Sequence, residues 1–303
     1  MKIYSAGNCA GLIARTFDER AKELAAVKEI LAAVRERGDE AVFAYEEKFD
    51  RTVLTRETFR VTEEEFAAAE RAVEPEFLVS LKKAIDNIYA YHVRVGRRDT
   101  VETKDGRTTG YVVRAVDRAG IYVPGGTAPL SSSVLMGVLP AKAAGVQHIV
   151  VVTPAKEGKV SPYTLAAAKA CGVTEVYKCG GAQAIAALAY GTESVPKADV
   201  IAGPGNIYVT LAKKEVYGQV GIDMLAGPSE ILIIADATAD PAYVAADVLS
   251  QAEHDVLARA IVVTTDASLA KKIAAEVETQ LKKLPRERIA RSSLENDGGI
   301  IVA

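Results

Sequence analysis

The sequence predicts an α/β protein with parallel sheets flanked by helices and a helical segment at its N-terminus. Three observations carry this. From about residue 118, short β-branched runs alternate with Ala-rich stretches of helical spacing. Those runs are continuously apolar rather than alternating, the pattern of strands covered on both faces. The first 95 residues or so read instead as helical, with 21–37 rich in Ala, Leu, Glu and Lys and apolar positions at helical spacing.

In the N-terminal segment, residues 21–37 form a predicted helix that Gly38 is placed to stop. Thr62 followed by Glu65 reads as a capping box opening the helix EEEFAAAERAV. A third helix spans about 76–93, after Pro75. Residues 97–111 are polar and turn-rich, a hairpin or a loop. The alternation then runs AGIYVP, PLSSSVLMGVLPAKAAG, HIVVVTP, SPYTLAAAKACG, EVYKCGG, AQAIAALAYG, DVIAGPGN and IYVTLAKKEVYG. It resumes with EILIIAD, a helix over about 241–254, RAIVVTT, and a helix through 281. Two segments, 150–172 and 231–253, echo each other as strand, polar loop and Pro-started helix with an early Tyr. They read either as a duplication or as the convergence common among βαβ units. The final DGGIIVA reads as a buried strand, an abrupt place for a domain to stop.

Bulk properties exclude several classes. The 303 residues are enough for about two domains, and a net charge of −3 makes no electrostatic case for nucleic acid or an anionic membrane. No apolar run reaches the ~18 residues of a transmembrane helix, and MKIYSAGNCAGLIARTFDER lacks the build of a signal peptide. Cys9, Cys171 and Cys179 make neither a disulfide framework nor a CxxC site, so a reducing, cytoplasmic setting is expected. With only His92, His148 and His254 present, any metal or proton-transfer proposal has few candidates.

No GxGxxG occurs. Three other Gly-rich turns sit where strands give way to helices: Pro124-Gly125-Gly126, Gly180-Gly181-Ala182-Gln183 and Gly203-Pro204-Gly205-Asn206. Together they read either as a nucleotide pocket at C-terminal strand ends or as turns that simply need glycine. The amides of Gln183 and Asn206 suit a ribose or carboxamide, or cap their helices. Tyr122 could stack on a ring or pack in the core. Ser229, in AGPSE before a strand, reads as a substrate contact or as a turn serine, with no GxSxG elbow around it. Gln251 and His254 stand three apart near a helix end and could offer oxygen and nitrogen to one zinc ion. The bland alternative is a histidine complementing the helix dipole. His92 and His148 are more readily structural.

Together, RGDEAVFAYEEKFD, GIYVPGGTAPL, VLMGVLPAKAAG, CGGAQAIAALAYGTESVPKAD, IAGPGN, DMLAGPSE and LSQAEHD resemble the histidinol dehydrogenase family in that order, across essentially the whole chain. The resemblance implies two incomplete Rossmann-like domains, one inserted in the other: 122–229 as the NAD-binding insert, and 1–121 with 230–303 as the outer domain. It implies NAD contacts at Tyr122, Gln183 and Asn206, substrate contacts at Ser229, Gln251 and His254, and zinc on Gln251 and His254. The implied reaction oxidises L-histidinol through L-histidinal to L-histidine with two NAD, in a homodimer acting on a small molecule. A catalytic Glu–His pair and two further zinc ligands are expected beyond Ala303, so no catalytic residue is expected within the chain, and the chain is expected to be truncated and inactive alone. Val256 stands where the family commonly has proline. Alternatives are a related dehydrogenase of a sulfonated diol, and a non-catalytic nucleotide-binding remnant.

Overall fold

A computed structural model describes residues 1–14, 20–125, 130–227 and 229–303. The chain packs as two compact units, Met1–Glu19 with Ala226–Ala303 and the intervening Arg20–Leu225. It opens with β1 (Ile3–Ser5) and the short α1 (Ala10–Ile13), both in the first unit.

The second unit begins with α2 (Ala21–Arg37), which Gly38 ends at φ +54, and α3 (Asp39–Asp50) starts directly behind that glycine. After α4 (Arg56–Phe59), the expected capping box opens α5 (Glu63–Ala72): Glu65 N–H donates to Thr62 Oγ1 at 3.2 Å, and Thr62 N–H to Glu65 Oε2 at 2.9 Å. Pro75 starts α6 (Pro75–Val95) at a position where its missing N–H costs nothing. The polar stretch after it is the hairpin β2 (Thr100–Lys104) and β3 (Arg107–Tyr111), turned by Asp105 and Gly106, both at positive φ.

The βα alternation follows: β4 (Arg118–Tyr122), α7 (Ser131–Ala143), β5 (His148–Thr153), α8 (Pro162–Ala170), β6 (Glu175–Lys178) and α9 (Gly181–Tyr190). The unit closes with β7 (Val200–Ala202), α10 (Ile207–Val216) and β8 (Gly221–Ile222). The five strands are parallel in the order β6-β5-β4-β7-β8. Alternation along β4 sends Tyr122 into one core, with residues of α2, α3, α9 and α10, and Ala119 and Ile121 into the other, with residues of α5 to α8. Helices therefore cover both faces, as continuous apolar strands require. The N-terminal helices supply half of that cover. This departs from the expectation that 1–121 belongs with the flanking domain: 20–121 groups with the inserted sheet, because the apolar stripes of α2, α3, α5 and α6 have that sheet and its helices to bury against.

The first unit continues with β9 (Glu230–Ala235), α11 (Pro241–Ala252), β10 (Arg259–Thr264), α12 (Ala267–Leu281), α13 (Glu287–Asp297) and β11 (Gly299–Val302). Its sheet is also parallel, in the order β1-β11-β10-β9. Residues of α11, α12 and α13 pack on one face, and Cys9 and Leu12 pack on the other around Ile301. EILIIAD is less buried than its composition suggests. As edge strand β9 it leaves Leu232 61% and Ile234 81% exposed, because α1 reaches only the β10–β11 side of that face. The terminal apolar run is paired with both β1 and β10.

Candidate functional site

In the second unit, β4 to β7 are parallel, so the loops after Tyr122, Thr153, Lys178 and Ala202 lie along one edge of the sheet. The chain enters at the central β4, steps outward through β5 and β6, then crosses back to β7. The β4–β7 boundary is thus the topological switch point, where open α/β sheets gather ligands. A groove of about 570 Å³ runs along the sheet face at this boundary, beside α7, from Val116 and Val146 near the strand starts to Ser132, Gly203 and Asp223 near their ends.

Four helix entrances lie along this edge and they are not equivalent; that of α8 opens on Pro162 behind Ser161, which makes no side-chain cap, and its proline offers no N–H. At α9, the N–H of Gly180 donates to Glu46 Oε1 at 2.9 Å and the N–H of Gly181 to the Tyr122 phenol at 3.2 Å. At α10, Asn206 Oδ1 accepts from Tyr208 and Val209 at 3.1 and 3.2 Å. Both entrances are therefore stopped by protein acceptors. At α7, among the described residues, Leu130 stands at the N-cap with no side-chain cap, its carbonyl accepts from Ser133 N–H at 2.9 Å, and Ser132 and Ser133 of the first turn border the groove. An uncapped helix start offers N–H groups and a positive dipole end to an anion.

The glycines prove to answer mainly to protein neighbours. A Cβ on Gly180 would strike Pro154, and one on Gly203 would overlap the Tyr122 carbonyl. Gly203 is also held at φ +126, a region closed to other residues. Gly126 of the first Gly-rich turn lies outside the described residues.

Tyr122 and Gln183 come together around Gly180–Gly181 with their side chains turned inward. Tyr122 is 3% exposed, and burial pushes its phenol above the ordinary tyrosine range. Gln183 is buried, and its Nε2 donates to Glu46 Oε1 at 2.8 Å. Asn206 is exposed. Sequence reasoning passed over two residues that shape this edge, Glu46 and Lys213. Lys213, 2% exposed, donates to the Gly203 carbonyl at 3.0 Å and to the Asp223 carboxylate, which in turn accepts from the Gly203 N–H at 2.8 Å. Gly203 is thus clamped at both backbone groups. The signal was available in a lysine on the apolar side of AKKEV, but a charge on a helix ordinarily reads as surface.

In the first unit, Ser229, Gln251 and His254 share the edge where β9 and β10 begin. Ser229 is exposed, immediately before β9, and its carbonyl accepts from Arg259 N–H at 3.2 Å. The expected helix 241–254 is shorter: α11 ends at Ala252, and His254 lies in the following turn, its N–H on the Gln251 carbonyl at 3.1 Å. Asp255 causes the break by capping the next turn, its Oδ1 accepting from Leu257 N–H at 2.8 Å. His254 is exposed and Gln251 half-buried. Among the described residues no three His, Cys, Asp or Glu side chains gather to hold a metal. Gln251 and His254 suit zinc in donor type, but a pair does not complete the usual four-ligand set.

A profile of histidinol dehydrogenase matches residues 14–303. The chain belongs to the histidinol dehydrogenase family. Histidinol dehydrogenase of Bacillus cereus is 54% identical over 277 residues, covering 91% of this chain and 64% of that protein. The Moorella thermoacetica protein of the same name is 55% identical over 280 residues, covering 92% and 66%. The crystal structure of histidinol dehydrogenase from Elizabethkingia anophelis superposes with a TM-score of 0.93 at 39% identity, covering all of this chain and 70% of that one. The chain therefore spans about two thirds of the length of these family members.

Proposed function

We propose that this chain carries the dinucleotide-binding portion of an NAD-dependent histidinol dehydrogenase, whose reaction oxidises L-histidinol through L-histidinal to L-histidine at the end of histidine biosynthesis. The observation that carries the reading is the uncapped α7 entrance beside the switch-point groove in a chain of this family. The dinucleotide pyrophosphate would lie against the first turn of α7, with an apolar ring in the groove. Tyr122 and Gln183 hold the α9 entrance in shape from within, and Asn206 stands at the exposed lip.

Bound NAD would accept hydride from the carbinol carbon and again from the hydrated aldehyde, so each histidinol reduces two NAD. This chain's residues bind and orient the nucleotide. Gln251 and His254 would contribute an amide oxygen and an imidazole nitrogen to zinc, with Ser229 near them on the same strand-start edge. The other ligands and the Glu–His pair are assigned to positions beyond Ala303. A homodimer is part of the reading. It is supported by apolar side chains that α6 and the β2–β3 hairpin leave exposed, among them Tyr91, Val95, Val101 and Tyr111. A cytoplasmic setting is supported by three free, buried cysteines, and among the described residues no helix is long and apolar enough to cross a membrane.

The test is NADH formation by the 303-residue chain given L-histidinol, NAD and zinc, alongside calorimetric titration with NAD. The expected result is NAD binding with negligible turnover. Robust turnover would overturn the divided site, and no NAD binding would overturn the α7 reading.

A further inference from the structure

Glu46 is 0% exposed, in the middle of α3 and beneath the end of β6. Its Oε1 takes two hydrogen bonds, from Gly180 N–H and Gln183 Nε2, while among the described residues its Oε2 is buried without a well-formed hydrogen bond, the Asp50 carboxyl one turn on being the side chain that acts on it directly. The groups acting on it from the packed elements are Asp50, one turn on along α3, the Cys179 thiol at the end of β6 and the Tyr122 phenol on β4. None of them is a cation. An ionised carboxylate here would leave a charged oxygen bare in an apolar core. A neutral acid leaves at most an underused hydroxyl, which is far cheaper. Burial accordingly pushes Glu46 up to about 8, and burial raises Asp50 as well. The carboxyl also fills the place at the α9 entrance that a bound anion would take.

We propose that Glu46 is a positioning residue, held as a neutral carboxylic acid that locks Gly180, Gln183 and, through Gly181, Tyr122 into the shape that binds the dinucleotide. Once it ionises, Glu46 and Asp50 stand as two like charges one turn apart, and the oxygen that anchors Gly180 is drawn toward water. The α9 entrance loosens, and the ends of β4 and β6 lose their common brace. The assignment of the dinucleotide to this edge rests on the functional reading above. The protonation of Glu46 does not.

The experiment therefore has two arms on the 303-residue chain. Difference infrared spectroscopy follows the protonated-carboxyl C=O band across pH 6 to 10. Wild type is expected to show a band at neutral pH that fades through about 8. The band should be missing in Glu46→Gln and should fade at lower pH in Asp50→Asn, which lacks the neighbouring charge. Calorimetric titration with NAD is then repeated at pH 7 and 9. If only the neutral form binds, wild-type affinity falls about tenfold by pH 9 as the competent fraction shrinks. Glu46→Gln, a neutral isostere, should bind as wild type does at pH 7 and keep that affinity at pH 9. A wild-type spectrum without the band, or one unchanged by Glu46→Gln, overturns the proposal. So does a pH slope in NAD affinity that Glu46→Gln retains. A band that titrates as expected with no NAD binding at any pH overturns the dinucleotide reading and the coupling to it.

Discussion

Replacing Lys213 with methionine tests the clamp that holds the β7 turn. Lys213 is 2% exposed and Asp223 34% exposed on their side chains. Breaking a buried ion pair by removing one partner costs about 3–5 kcal/mol, chiefly because the other charge is stranded. In Lys213→Met the stranded group is Asp223, which keeps backbone donors in Gly203 and Met224 and reaches water. The expected loss is therefore reduced to about 2–3 kcal/mol, part of it from the Gly203 carbonyl, which loses its donor. Asp223→Asn strands the ammonium instead, in a site closed to solvent, and should cost more than Lys213→Met. The asymmetry is the sharp part of the prediction. Urea unfolding followed by circular dichroism reads both, with the double variant closing the cycle. Losses under about 0.5 kcal/mol for both singles, or Lys213→Met costing more than Asp223→Asn, would refute the reasoning.

Glu46 also leaves a mark on stability. Its folded value lies above its ordinary one of 4.5, at about 8, so its contribution is complete below 4.5 and is lost as pH rises toward 8. Glu46→Gln should flatten that slope of about 1.4 kcal/mol per pH unit, and the difference from wild type in urea midpoint should widen from pH 5 to 8. Gly203→Ala, forced into φ +126 against the Tyr122 carbonyl, should cost about 2 kcal/mol or more; an unchanged urea midpoint would contradict that geometry. Asp240→Ala removes the oxygen that caps α11 through Ala242 N–H at 2.8 Å and should cost about 1 kcal/mol in the same assay. His254→Ala, at an exposed site, should change stability by less than about 0.5 kcal/mol, and equilibrium dialysis of the wild-type chain should show only weak zinc binding, because the donor pair is not a full site.

The elements best legible in the sequence were those with strong period or punctuation. The β4-to-α10 alternation, Pro75 at the start of α6 and the Thr62–Glu65 box all act through local backbone chemistry, which needs no knowledge of the fold. Three kinds of element were not legible. β1 is three residues long and exists through its pairing with β11, almost three hundred residues away. α13 buries only Ala290, Ser293 and Leu294 on one face of an otherwise strongly polar helix, so its stripe is too thin to stand out. The boundary between α2 and α3 hides behind Gly38, which reads as a stop and serves equally as a start. At the site, the Gly-rich turns marked the carboxyl-end edge of the sheet, but they could not say which helix entrances are met by protein acceptors. That depends on Glu46 and Asn206 arriving as acceptors, one from a helix more than 130 residues upstream. Glu46 and Lys213 stayed invisible because a charged residue on a helix reads as solvated until the fold puts it inside.

Hydrogen–deuterium exchange of the 303-residue chain with and without saturating NAD locates the dinucleotide on the chain. Slowed exchange is expected at the first turn of α7 and at the Gly203–Asn206 turn, with little change along β9, β10 and β11. Protection centred on the end of α11 around Gln251 and His254, or no protection anywhere, would contradict that expectation.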